Sequence, residues 1–197
     1  MGSFLREQSA LANLNAMGVT GCNAILVADD DKIVISANMK NGAYTVAAQP
    51  LSPAKITVLA TAVGTADTMG KVTIVGTDAA GNALSEEVIP VAGTTVLTTG
   101  IFASITSVTG SGWVIDGGNQ NDTIKVGVNY AYPPSGHYFC AITAMADAVV
   151  ASQTNVTGAY NPKLACLTKI PAGATVYGKF SSISLTSGEL IGYYAKG

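Results

Sequence analysis

Short runs of Ile, Val and Thr, broken at regular intervals by Gly, Asp and Asn, fill residues 55–128. β-branched side chains suit a pleated, half-buried surface, and Gly or Asn supplies the backbone conformations of tight turns. The turn signals recur at roughly 8–12-residue spacing, the spacing of a β-sandwich or barrel. The stretch therefore predicts a compact antiparallel β domain, and no catalytic motif interrupts it.

The same signals resume after the Pro-Pro-Ser-Gly segment that ends at Gly136. Strands are expected at Tyr138–Met145, Ala148–Gln153, Leu164–Lys169, Thr175–Phe180, Ser182–Leu185 and Leu190–Tyr194. Before the central stretch, Ala24–Val27 and Lys32–Ser36 read as strands. Asn41-Gly42, a strong two-residue turn signal, predicts a hairpin joining Ala37–Lys40 to Ala43–Ala47. Pro50 and Pro53 then mark a linker, because proline lacks a backbone donor and restricts the residue before it.

The expectation is an all-β chain of two antiparallel β-sandwich or barrel-like modules with an N-terminal arm. Its divisions are an arm at 1–18, a β-hairpin region and linker at 19–53, a central sandwich at 54–130 and a C-terminal β module at 131–197. In the arm, Phe4, Leu5, Leu11 and Leu14 form a narrow apolar stripe. It suits either a short helix ending at Gly18 or an extended segment that orders against a partner.

Charged residues make up only 11% of the chain, against about 25% in typical domains, and hydrophobic residues 48%. Charge is depleted in the same way at the centres of protein–protein interfaces. The net charge of −2 is spread without a basic stripe, which argues against a nucleic-acid partner. No apolar run approaches the roughly 18 residues of a membrane-spanning helix. Around Arg6 and Glu7 there is no continuous apolar segment of the secretory kind, so synthesis in the cytoplasm without export is expected.

His137 is the single histidine and no set of Cys and acidic ligands surrounds it in sequence, so a structural hydrogen-bonding role is expected. The oxygen-rich loop Asp116–Asp122 resembles one turn of a calcium-binding repeat, but a plain turn explains it as well; the same holds for Asp29–Asp31. Glu86 and Glu87 are adjacent, so a pleat points them to opposite faces and denies them a shared acid–base role. Within the same strand, Leu84, Glu86 and Val88 share one face, a mixed pattern. Cys22, Cys140 and Cys166 are odd in number and widely spaced, which suits small buried thiols, with a Cys140–Cys166 bridge as the alternative. The tyrosines and Trp113 suit either sheet packing or a sugar-binding or docking surface. No catalytic, cofactor or metal site is assigned.

The segment from Ile56 to Val114 resembles structural proteins of tailed bacteriophages. The shared elements are a D-x-x-G-N-x-x-S-E turn at Asp78–Glu86, a Gly-Thr-Thr at Gly93–Thr95, and F-x-x-I-T-S-V at Phe102–Val108. The ending from Ile170 to Gly197 is similar to the C-terminal β unit of such proteins. Together the two blocks cover about half of the chain. The resemblance implies a non-enzymatic capsid decoration, or cement, protein on the exterior of the virion. Its partners would be the major capsid protein and further copies of itself, as a homotrimer. The contact residues it would use are the arm residues Phe4, Leu5, Arg6 and Leu11. A head-fibre, neck or tail component with a host- or glycan-binding role is the alternative.

Overall fold

In the computed structural model, residues 17–61, 68–115, 122–157 and 168–197 are described. Among them every regular element is a strand, and no helix is long and apolar enough to cross a membrane. The chain forms two compact units: residues 28–130 make one, and residues 1–27 with 131–197 make the other. The region 19–53 is therefore divided between units, not a hairpin module of its own. The break at Pro50–Pro53 is internal to the first of them.

The inserted unit is built from β2 (Asp29–Asn38), β3 (Gly42–Tyr44), β4 (Lys55–Thr61), β5 (Lys71–Thr77), β6 (Ala83–Val88), β7 (Thr95–Leu97), β8 (Ser104–Ser111) and β9 (Thr123–Asn129). Two four-stranded sheets form, in the orders β2-β9-β4-β7 and β3-β8-β5-β6. The strand pairs are antiparallel, and neither sheet closes on itself. β5 shows the reason for the fold most plainly. Its even residues Val72, Ile74 and Gly76 are buried, while Lys71, Thr73, Val75 and Thr77 are half-buried. Period-two burial gives each strand one core face. Ile56, Val58, Ile124, Val126 and Val128 supply that face on one sheet, and Val72, Ile74, Ile105 and Val108 on the other. Phe102 and Trp113 are buried with them.

The expected hairpin at Asn41-Gly42 does not form. β2 pairs with β9, and β3 pairs with β8 in the other sheet, so this turn carries the chain across the sandwich. Trp113–Ile115 and Thr123–Val128, strand-like runs expected to pair across the loop 116–122, do not. Val114 bridges Thr68 instead, and β9 lies between β2 and β4. Gly127 on β9 is required by close approach: a Cβ there would lie 2.0 Å from the Asp29 carbonyl oxygen, because the start of β2 bulges over it.

The other unit is a single six-stranded sheet of β1 (Val19–Ile25), β10 (His137–Ala144), β11 (Ala148–Asn155), β12 (Lys169–Ile170), β13 (Thr175–Ser187) and β14 (Leu190–Lys196), in the order β1-β14-β10-β13-β11-β12. The two strands expected at 175–180 and 182–185 are one 13-residue strand. A straight strand of that length would hold its ends roughly 40 Å apart. The residues that flank it instead both meet Asp147: its carboxylate accepts the Ala172 N–H at 3.0 Å, and a Cβ on Gly188 would lie 2.4 Å from its carbonyl oxygen. β13 therefore bends back on itself. Its buried residues slip phase at the bend, from Phe180 to Ile183 and Leu185 across Ser181-Ser182, as a bulge requires. The fold encloses Ile25, Phe139, Ile142, Ala148, Ile170, Phe180, Ile183, Leu185 and Leu190 in one apolar cluster.

Candidate functional site

The arm residues Phe4, Leu5, Arg6 and Leu11 lie outside the described residues, as do Cys166 and residues 116–121. Asp122, which closes that loop, is buried, and its carbonyl accepts the Met39 N–H at 2.9 Å. His137 is half-buried. Its Nδ1 sits 2.9 Å from the Ser135 carbonyl oxygen and its ring meets Tyr194 edge-on at 5.4 Å. Among the described residues no three His, Cys, Asp or Glu side chains gather as metal ligands. Cys140 is a buried free thiol, whose pKa burial raises, and Cys22 is an exposed one, contrary to the expectation of burial for all three.

The two glutamates do diverge. Glu87 faces solvent and pairs with Lys71. Glu86 turns inward, where its Oε1 accepts the Thr99 N–H at 2.6 Å and its Oε2 the Gly100 N–H at 2.9 Å. This resolves the mixed face of β6: Leu84, Glu86 and Val88 all point in, and the charge is held by two amides. The clasped loop carries the chain from β7 in one sheet to β8 in the other. Thr98, beside it, is buried; its Oγ1 accepts the Ile56 N–H at 2.9 Å and donates to the Gly100 carbonyl at 2.9 Å.

Two side-chain amides act in the same manner on β8, whose outer neighbour β3 is only three residues long. Gln49 accepts the Ile105 N–H at 2.7 Å and donates to the Ile105 carbonyl at 2.9 Å. Asn41 accepts the Trp113 N–H at 3.0 Å and donates to its carbonyl at 3.0 Å. Each amide stands in for a peptide group of a missing strand. Backbone groups that β3 is too short to pair are thus satisfied, and that part of the edge is closed.

Asp78 is likewise consumed by its own turn. It accepts N–H groups from Ala80 and Asn82 and the Asn82 side-chain amide, all within 3.0 Å. The Asn82 side chain, then the backbone donors, hold its carboxyl below the ordinary range. Asp29 accepts the Asp31 N–H at 3.3 Å, and Asp31 lies 3.9 Å from Lys125.

The aromatic residues separate into two groups. Trp113, Tyr44 and Tyr130 are buried, and burial raises both tyrosine pKa values. The Tyr44 and Tyr130 hydroxyls accept backbone N–H groups from Lys40 and Leu51. On the folded sheet, Cys22, Tyr193, Ala141 and Tyr177 stand opposite one another on β1, β14, β10 and β13, a cross-strand row with a small residue between two tyrosines. Tyr177 is 44% exposed. A second exposed feature is a shallow cleft of about 260 Å³ between Met69, Lys71, Ile89 and Ser111, with Ile89 70% exposed. Sequence pattern marks neither Gln49 nor Thr98 as a clamp, and marks Asn41 only as a turn residue. Their only signal is a polar residue beside a short strand or within a strand-like run.

No protein-family model, curated protein or solved structure matches this chain.

Proposed function

We propose that this chain is a non-catalytic structural protein of a tailed-phage particle, a capsid decoration protein that binds the outside of the major capsid shell as a homotrimer. One observation supports this reading best. The residues that carry the resemblance have structural roles: Asp78 and Asn82 lock a hairpin, Glu86 clasps the inter-sheet loop, and Phe102, Ile105 and Val108 fill the core. A body clamped in this way presents its surface with little ordering cost on binding. Many copies acting together would reinforce a shell even through modest individual contacts.

Quantitative proteomics of purified particles, with graded stripping of the protein, tests the proposal. A decoration protein is expected at hundreds of copies per particle, and its removal should lower the temperature at which shells release DNA. A few copies per particle, or unchanged shell stability, would refute it. Deleting residues 1–18 should abolish shell binding while both β units stay folded; full binding by the truncated chain would remove the arm, with Phe4, Leu5, Arg6 and Leu11, from the account.

The row Tyr193–Ala141–Tyr177 favours one second reading, a head-fibre, neck or tail component that binds glycans. Ala141 is fully buried, and the aromatic surface for a sugar ring to stack on comes from Tyr177, 44% exposed, and half-buried Tyr193. A glycan array on the purified protein, repeated with Tyr177→Ala, tests this; no binding by either form would reject it.

A further inference from the structure

We propose that β1 is an exchangeable strand, and that its slot beside β14 also accepts β1 of a second copy of this chain. The inference goes beyond the shell-binding reading and does not depend on it.

The observations concern how β1 is attached. It lies at the edge of its sheet, pairs only with β14, and is separated in sequence from the rest of its unit by the whole of residues 28–130. Its inward-alternating positions are Val19, Gly21, Asn23 and Ile25, and of these Ile25 alone is a fully buried apolar side chain, Val19 being half-buried. Ile25 is fully buried, but Gly21 has no side chain, and the Asn23 Nδ2 is buried without a hydrogen-bond partner among the described residues. Leaving the slot lets that amide regain water. Across the strand, the register is definite: Cys22 opposes Tyr193, Asn23 opposes Gly192, Ala24 opposes Ile191 and Ile25 opposes Leu190.

The hinge is equally plain. Leu26, Val27 and Ala28 belong to no strand. They connect β1 to the inserted unit, whose entry and exit lie side by side, since Asp29 opposes Val128. A swapped and a closed arrangement contain the same β1–β14 bonds and differ only in this short connector and in which chain supplies the strand. That is the low-cost route to oligomers by exchange of an identical element. Short hinges favour it. The closed form is held by the effective concentration of the tethered strand, of order millimolar for a short link. Exchange is therefore expected where chains are crowded to that level.

The test uses the native Cys22. In the full chain with Cys140→Ser and Cys166→Ser, Tyr193→Cys places a second thiol directly opposite Cys22, within disulfide reach of a paired strand. The protein is unfolded and refolded under reducing conditions over a concentration series, oxidised only after refolding, and separated on non-reducing gels. Crosslinked monomer is expected at micromolar concentration, with covalent dimers and larger species rising to a comparable share at about 1 mM. Crosslinked monomer alone throughout the series would overturn the proposal. So would equal dimer formation in a control that keeps Tyr193 and has Cys22 as its only thiol. Because loss of Tyr193 also removes packing, Ala24→Cys with Ile191→Cys, on a background that also carries Cys22→Ser, repeats the measurement at a second opposed pair. Absence of any crosslink in both designs contradicts the β1–β14 pairing itself and overturns the proposal too.

Discussion

Replacing Glu86 by alanine removes the carboxylate that accepts the Thr99 and Gly100 amides at 2.6 and 2.9 Å. Hydrogen bonds to a charged group contribute about 1.5–3 kcal/mol each. The Thr99 amide is solvent-exposed and regains water, so most of its share is recovered. The Gly100 amide lies in a part-buried setting beneath Leu84 and keeps the loss. The expected destabilisation is about 2–3 kcal/mol. With a urea m-value of about 2 kcal/mol/M, the unfolding midpoint should fall by about 1 M or slightly more. Glu86→Gln should fall nearly as far. Its amide keeps one acceptor oxygen but aims an NH₂ at the other backbone N–H. Urea titration by fluorescence gives the midpoint, and amide hydrogen exchange reads Thr99 and Gly100 directly. A Glu86→Ala midpoint within about 0.2 M of the parent, with both amides as protected as before, would show that the clasp contributes nothing and refute the reasoning.

Gln49→Ala should cost about 1–3 kcal/mol, because both the N–H and the carbonyl of Ile105 lose their partner; chemical denaturation measures it, and a change below about 0.3 kcal/mol would contradict the account. Deleting Ser182 puts Phe180, Ile183 and Leu185 in unbroken alternation, so β13 loses the extra residue that bends it and cannot turn back with Ile183 and Leu185 seated in the core. At about 1.5–3 kcal/mol for each buried side chain displaced the unit should lose several kcal/mol, whereas Ser182→Ala should be nearly neutral. Calorimetry that finds the two variants equally stable would reject the bulge. For Asp78 the folded carboxyl titrates below its unfolded value, so its stabilising contribution is present above the unfolded pKa and is lost as pH falls through the folded one. Asn82→Ala removes the largest cause and should move the Asp78 midpoint upward, as read by NMR titration of the carboxyl carbon. The same sign applies to Asp147, held low first by the Ala172 N–H and then by Lys169. Ala172→Pro, which deletes that donor, should raise its midpoint.

β5 illustrates what one-dimensional pattern carries. Alternation in KVTIVGT states which side chains meet the core, and that information is local to the strand. Turn residues are local as well, which is why Asp78–Asn82 was readable as a turn and proved to be one. Glu86 was visible as an inconsistency, a charge among inward positions, but its explanation lay 13 and 14 residues away in Thr99 and Gly100.

The amino-acid order by itself determined that this chain is all β, where most of its turns fall and which residues alternate inward, because burial of one strand face depends on neighbours two residues apart. Tertiary structure alone decided which strands are partners. It sent Asn41-Gly42 across the sandwich instead of into a hairpin, placed β1 beside β14 across an inserted unit, and bent β13 back to Asp147. Backbone N–H and C=O groups are the same on every strand, so pairing is chosen by how whole faces, bulges and side-chain clamps fit together in space.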